Sequence, residues 1–138
     1  MCIRDRTGGT QELVAIDGAK LESTGRWPLS GGLAWGPKKV GELVVVADGA
    51  NSVMIMDGSG QLQGRVPGVG PLAGDPLLAN GALVIASTDG RISIVSEDGQ
   101  LKASKKYSEP FGSGAVVFKG RLLISGWDGT LYLVDIPQ

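Results

Sequence analysis

A repeat of about 40 residues is the feature that most restricts what this 138-residue chain can fold into. Three stretches align with one another: VGELVVVADGANSVMIMDGSGQL, NGALVIASTDGRISIVSEDGQL and KGRLLISGWDGTLYLVD. The alignment matches two sets of glycines, Gly41, Gly81 and Gly120, and Gly49, Gly90 and Gly129. A fixed period of this size indicates stacked copies of one supersecondary unit.

A fourth, partial copy precedes these three in GGTQELVAIDGAKL. It begins a further series of markers, Asp17, Asp57, Ser96 and Asp135, at intervals of 40, 39 and 39 residues. Because independent markers keep one period, the repeat extends over most of the chain.

Each copy contains short apolar runs rich in Val, Ile and Leu and bounded by glycine-containing pairs, which is typical of strands and hairpins. The first strand is predicted at 77–79 or 115–118 and the second at 83–87 or 122–126. The third is predicted at 92–95 or 131–134, and a more polar fourth strand at 62–66 and 101–107. Helical periodicity is absent.

Tight turns join these strands. The pairs Asn80-Gly81, Asp89-Gly90 and Asp128-Gly129 are predicted to supply the positive φ angles of two-residue hairpins. Four antiparallel strands in every 40 residues, without a helix, are the blade of a β-propeller.

The hydropathy pattern agrees with this fold. LVVVA, VMIM and LVIAS are apolar at successive positions, which indicates strands covered on both faces. The segment LKASKKY carries Lys102, Lys105 and Lys106 and is predicted to be a solvent-facing outer strand, where lysine discourages pairing with another chain.

The composition excludes several functions. Thirteen basic and fourteen acidic side chains give a net charge of −1, so no basic face is available for nucleic acid. Histidine is absent, which removes the usual general base and the commonest metal ligand. Cys2 is the only cysteine, so no internal disulfide forms. No apolar run reaches transmembrane length.

We therefore expect an all-β fold, a β-propeller fragment of about three four-stranded antiparallel blades. Residues 1–6 are interpreted as a non-native leader. The remaining boundaries are a partial blade at 7–30, blades at 31–70 and 71–111, and the inner three strands of a blade at 112–138. A closed propeller needs about four to eight blades, so the expected partner is the rest of a longer propeller, with an oligomer of partial propellers as the alternative.

The motifs SGAVVFKGRLLISGWDGTLYLVD and DPLLANGALVIASTDGRISIVSEDG resemble PQQ-like, or quinoprotein-type, propeller repeats, and the resemblance covers residues 8–136. WD repeats fit less well, because histidine is absent and Trp127-Asp128 falls in a turn. The resemblance implies either of two functions. BamB-type periplasmic lipoproteins use the ring as a protein-interaction scaffold in outer-membrane protein assembly, whereas quinoprotein dehydrogenases bind PQQ with Ca²⁺.

Departures from the dehydrogenase pattern favour the scaffold. The tryptophan-docking motif is absent, since Trp27 follows Thr24-Gly25 but lies too far from Asp17, and no adjacent cysteine pair occurs. We therefore expect a non-catalytic scaffold with a protein partner, no cofactor and an extracytoplasmic location implied by the family. The alternative is a dehydrogenase fragment whose PQQ and Ca²⁺ ligands lie in other blades.

Strand direction predicts one candidate binding face. Turns between second and third strands share a side of each blade with the loops between blades, GRVPGVGPLAGDP and SEPFGSG. This side is expected to carry Asn51, Asp89, Phe111 and Trp127, with the two aromatic residues exposed as contact anchors. The alternative for Trp127 is that it caps the apolar gap between blades.

Asp48, Asp89 and Asp128 are aligned at one repeat position and interpreted as turn residues, not as a carboxylate site.

Overall fold

The computed structural model describes the backbone of residues 2–6 and the residues 12–137. This part of the chain contains fourteen strands and no helix, and the strands form four antiparallel sheets of three, four, four and three members. The all-β expectation is confirmed. The chain divides into two compact units after Gly68, and each unit is described by itself.

Unit 1 contains a three-stranded and a four-stranded sheet, each with its strands in chain order. The strands of the first sheet are β1 (Cys2–Arg6), β2 (Glu12–Ile16) and β3 (Ser23–Pro28). Those of the second sheet are β4 (Leu33–Val40), β5 (Leu43–Asp48), β6 (Val53–Met56) and β7 (Leu62–Val66).

Unit 2 contains a four-stranded and a three-stranded sheet, again meanders in chain order. The first consists of β8 (Leu77–Ala79), β9 (Ala82–Ala86), β10 (Arg91–Ser96) and β11 (Leu101–Lys106). The second consists of β12 (Val116–Phe118), β13 (Arg121–Ser125) and β14 (Leu131–Val134).

The predicted strands lie within one or two residues of those observed, because glycine-containing turns mark both ends of each apolar run. The sequence did not predict β1, which pairs with β2 over the register Cys2 to Ile16 through Arg6 to Glu12. The interpretation of residues 1–6 as a leader concerns the origin of that segment and stays a prediction.

The core of each unit lies between its two sheets. In unit 1 the core is formed by Leu13, Leu29, Val46, Met54 and Met56. In unit 2 aliphatic residues of β9, β10 and β13 surround Phe111. All four residues of β6 are buried, as are the four central residues of β10. Burial at successive positions confirms that these inner strands are covered on both faces.

The outer strand of the four-stranded sheet in unit 2 is exposed, as predicted. Five of the six residues of β11 are exposed, and among the strands that the structure describes β11 pairs only with β10. The three lysines of this strand therefore lie on an open sheet edge.

The hairpins of unit 2 show two kinds of turn. Asn80-Gly81 and Lys119-Gly120 are two-residue hairpins in which both residues have positive φ, so the prediction for Asn80-Gly81 is confirmed. In Asp89-Gly90 and Asp128-Gly129 only the glycine has positive φ, so the two-residue assignment was wrong there. Each of these turns is longer and is closed by a hydrogen bond from the N–H of its fourth residue, the glycine, to the carbonyl of its first residue, which is Ser87 or Gly126.

The longer turns correct the alignment of the first full repeat. The N–H of Asn51 donates to the carbonyl of Asp48, as Gly90 does to Ser87. Asn51 therefore occupies the positive-φ position of Gly90 and Gly129, with φ of 64°. Asp48 stands at the first position of its turn, whereas Asp89 and Asp128 stand at the third, so the three carboxylates do not share one repeat position.

Candidate functional site

One loop of unit 2 holds two of the predicted turns together. The N–H of Tyr107 donates to the carbonyl of Gly90 at 2.8 Å, and the N–H of Gly112 donates to the carbonyl of Ser125 at 2.8 Å. Phe111 also pairs with Gly126 in an isolated antiparallel bridge. The segment 107–112 therefore lies between the Asp89 turn and the Trp127 turn, the neighbourhood that strand direction predicts for this loop.

Phe111 does not lie on the surface. The expectation of an exposed aromatic anchor was wrong, because the side chain is 1% exposed. Its ring centroid lies 6.0 Å from that of Tyr107 and 6.4 Å from that of Tyr132. Burying an aromatic ring of this size contributes strongly to a core. Phe111 thus anchors the loop from inside.

Trp127 is exposed as predicted, with 71% of its surface accessible. It lines a small cleft of about 110 Å³, and we call this site the Trp127 cleft. The residues that line it are Glu109, Pro110, Trp127, Asp128 and Tyr132. Small-molecule pockets usually measure about 300–1,000 Å³. The Trp127 cleft is therefore of the size of one chemical group rather than of a whole small molecule.

A missing side chain at Gly126 helps to keep the Trp127 cleft open. A Cβ atom at this position would lie 2.8 Å from Cε2 of Tyr132, 3.1 Å from Oδ1 of Asp128 and 3.5 Å from the carbonyl oxygen of Pro110. Real Cβ atoms do not approach other atoms as closely as the first of these distances. Any larger residue would displace the tyrosine ring or fill the space.

The charge of the cleft is negative. The side chains of Glu109 and Asp128 are both exposed, and Oδ1 of Asp128 accepts a hydrogen bond from the backbone N–H of Thr130 at 3.0 Å. That bond is the main cause that lowers the pKa of Asp128. The carboxylate therefore stays ionised over the range in which proteins usually work.

Asp89 does not line the cleft. Oδ1 of Asp89 accepts hydrogen bonds from the hydroxyl of Ser87 and from the backbone N–H of Arg91, the latter at 3.3 Å. Both partners belong to its own hairpin. The structure therefore gives Asp89 the turn-stabilising contacts expected of an Asx residue.

Asn51 belongs to unit 1. Its side chain is exposed, and its backbone takes the left-handed conformation of the turn. Asparagine tolerates this conformation better than most residues do. The left-handed backbone therefore accounts for an asparagine at this turn position, and its role in binding stays a prediction.

Two further features bear on chemistry. Among the residues that the structure describes, no three His, Cys, Asp or Glu side chains converge in a way that would hold a metal ion. Within the same residues, there is no helix with the length and hydropathy needed to cross a membrane.

Known structures share this arrangement of sheets. BamB from Moraxella catarrhalis matches 96% of the chain with a TM-score of 0.60 at 14% identity. The computationally designed protein Ika4 matches 97% with a TM-score of 0.61 at 15% identity. The chain has a BamB-like β-propeller fold.

The share of each known structure that this chain matches differs from one to the next. The chain spans 43% of the length of the BamB chain and 42% of the designed Ika8 protein, but 84% of Ika4. KlHsv2 with loop 6CD replaced by a Gly-Ser linker is also similar, with a TM-score of 0.56 and 16% identity over 94% of this chain. No protein-family model and no curated protein matches the chain in sequence.

Four lining residues of the Trp127 cleft were not predicted as site residues, namely Glu109, Pro110, Asp128 and Tyr132. A signal was present, because the last repeat departs from the others at the cleft. Counted along the equivalent turns, Gly126 replaces Ser87 and Asp48, Trp127 replaces Thr88 and Gly49, and Tyr132 replaces Ser93 and Met54. The glycine alignment of the last two repeats, with Gly129 matched to Gly90, already pairs these residues, so the substitutions were visible in the sequence although the cleft was not.

Proposed function

We propose that this chain is part of a non-catalytic propeller scaffold that binds a protein partner through the surface around Trp127. The observation that carries the proposal is a tryptophan 71% exposed on a turn whose backbone is held by β-pairing on both sides. Tryptophan is enriched among the few residues that dominate binding energy at protein interfaces. A rigid turn presents it at little entropic cost.

The surroundings of Trp127 also support a binding role. The cleft beside it holds two carboxylates and part of a tyrosine ring, so it offers both apolar surface and charge. Loops positioned by a rigid scaffold are the usual place for binding residues. The resemblance to scaffold-type propeller repeats points in the same direction.

Site-specific photocrosslinking tests this proposal. The photoreactive residue p-benzoylphenylalanine would replace Trp127 in one sample and Phe118 in another. Phe118 is a matched control because it is 48% exposed and lies at the opposite end of β13, next to the Lys119-Gly120 hairpin. Both proteins would be irradiated in extract of the organism that encodes them, and the products identified by mass spectrometry.

We expect one specific polypeptide to be crosslinked at position 127 and absent at position 118. Equal products at both positions would contradict a binding surface around Trp127. Dye-linked oxidation of alcohols or sugars by the complete propeller protein, after addition of PQQ and Ca²⁺, would contradict the non-catalytic part of the proposal and favour the dehydrogenase alternative.

A further inference from the structure

The Trp127 cleft combines the three features by which proteins hold a guanidinium group. It contains an exposed indole, a pair of carboxylates and a space sized for one planar group. We propose that the cleft binds an arginine side chain of the partner polypeptide. This inference rests on the proposed function, and it adds the chemical class of the group that is recognised.

Shape supports arginine. The indole of Trp127 is 71% exposed, so its face is available for stacking. Guanidinium groups stack on aromatic faces, and tryptophan is the strongest cation–π partner. Tyr132 supplies a second aromatic ring to the lining of the cleft, and this ring makes an edge-to-face contact with that of Phe111.

Charge supports the same group. Glu109 and Asp128 line the Trp127 cleft, and both are exposed to solvent. Oδ1 of Asp128 is used by the N–H of Thr130 within the turn. Carboxylates pair with guanidinium through parallel N–H to oxygen bonds, which a lysine ammonium cannot form. Two carboxylates beside an indole therefore favour a cation over a neutral or anionic ligand.

The repeats of the chain show that the turn fold alone does not require this arrangement. In the equivalent turn of the preceding sheet, the hydroxyl of Ser87 donates a hydrogen bond to the carboxylate of Asp89. Thr88 is the residue equivalent to the tryptophan. In the last repeat Gly126 provides no side chain for Asp128 and leaves the space beside Tyr132 open. The differences at these positions remove an internal hydrogen bond and create a recess.

Nuclear magnetic resonance on the full chain tests the inference with defined probes. N-acetyl-arginine N-methylamide would be titrated into ¹⁵N-labelled protein. The citrulline analogue has a similar shape without the charge, and the lysine analogue has the charge without the planar group, so the two serve as controls. We expect saturable shifts of the Trp127 indole and of the Gly129 amide, with an affinity for arginine about tenfold above that for citrulline.

Variants locate the binding. Trp127→Leu and Glu109→Gln are each expected to weaken arginine binding about fivefold, followed at the Gly129 amide. Gly126→Ala is expected to abolish binding by filling the cleft. Glu97→Gln, an exposed carboxylate of another turn, is the matched control and leaves affinity unchanged. Trp127 and Glu109 are exposed, so these two tests remain valid even if the alanine variant does not fold.

Equal binding of arginine and citrulline, equal binding of arginine and lysine, or no saturable shift would each overturn the inference. So would unchanged affinity in Trp127→Leu. A photocrosslinked partner at position 127 together with any of these results would leave the scaffold proposal standing and remove only the arginine assignment.

Discussion

Phe111 and Gly126 pair through an isolated antiparallel bridge that joins the loop between two propeller blades to the turn carrying Trp127. The two residues of this backbone bridge differ in their side chains, since one carries a large ring and the other carries none. The phenylalanine ring enters the core of unit 2, while the glycine leaves room for Tyr132 and Asp128 on the outer side. A buried anchor and an exposed cleft are thereby built from one backbone contact.

Truncation of the buried anchor should destabilise the protein far more than truncation of the exposed tryptophan. Phe111→Ala removes a ring that is 1% exposed, and such changes cost about 3–5 kcal/mol. Trp127→Ala is expected to change the free energy of unfolding by less than about 0.5 kcal/mol, as surface substitutions do. Urea denaturation of both variants measures the difference, and similar losses would contradict the opposite roles given to these two aromatic residues.

A left-handed turn position in unit 1 gives a second prediction. Asn51 has a φ of 64°, a conformation that costs a residue with a Cβ atom about 1–2 kcal/mol relative to glycine. Asn51→Gly should therefore retain or raise stability, and Asn51→Val should lower it by about 1 kcal/mol or more.

The control for this prediction is Ala50→Val. Ala50 is the exposed neighbour of Asn51 in the same turn, and its φ is not positive. Thermal unfolding followed by circular dichroism should rank Asn51→Val as the less stable of the two valine variants. The reverse order would show that Asn51 does not occupy the glycine position of the turn.

The sequence predicts the strands well because hydropathy and turn residues both mark them. Leu62–Val66, Leu77–Ala79 and Leu131–Val134 were predicted with the bounds that the structure shows. Long-range relationships were harder to predict. Exposure of Phe111 was inferred from its loop, but a residue in a loop can still point into the core, and the sequence carries no local sign of that direction.

The alignment error has a similar physical origin. Gly49 was matched to Gly90 because both follow an aspartate, yet the turn is defined by its hydrogen bonds and by the left-handed residue, which is Asn51. Asparagine and glycine are the two residues that best tolerate this conformation, so letter identity was a poor guide. The Trp127 cleft was missed for a different reason, because the recess depends on how closely the loop residues Glu109 and Pro110 approach Tyr132, and the repeat pattern carries no sign of this distance.

Close approach of two loops in unit 2 leads to a third prediction. A Cβ atom on Gly74 would meet the backbone of Gly114, with Cα of that residue at 2.9 Å and its nitrogen closer still. Gly74→Ala should therefore cost about 1–3 kcal/mol through overpacking against backbone that cannot rotate away.

Gly18 provides the matched control for Gly74. A Cβ atom there would meet nothing within 4 Å, and its φ is not positive. Gly18→Ala should leave the free energy of unfolding unchanged or slightly higher, because alanine restricts the unfolded chain. Equal destabilisation of both variants in guanidinium denaturation would indicate that the loops do not approach as described.

Hairpin carboxylates should make the fold sensitive to acid. The hydroxyl of Ser59 donates to Asp57 at 2.6 Å, and this bond is the largest cause that lowers the pKa of Asp57, followed by the backbone N–H of Gln61. A carboxyl whose pKa is lower in the folded state contributes stability above its unfolded pKa, and this contribution is lost as pH falls through the folded pKa. The pKa values of Asp17, Asp98 and Asp128 are lowered as well.

Melting temperatures measured between pH 6 and pH 2 test this prediction with graded variants. The acid-induced loss should be largest in the unmodified protein, smaller in Ser59→Ala, where the pKa of Asp57 returns toward its ordinary value, and smallest in Asp57→Asn. An identical pH profile for all three proteins would mean that the turn bonds do not favour the ionised carboxylate.

The open edge of β11 gives the last prediction. Lys102, Lys105 and Lys106 are exposed on a strand that pairs on one side only, and charged side chains at such an edge oppose the addition of a strand from another chain. Replacement of all three lysines by valine raises strand propensity, removes the charge and should cause concentration-dependent aggregation with increased thioflavin fluorescence. Replacement by glutamate keeps three charges of one sign on the edge and should leave the chain soluble, as measured by light scattering. Aggregation of the glutamate variant to the same extent would show that the loss of lysine itself, rather than the loss of charge, exposes the edge to pairing.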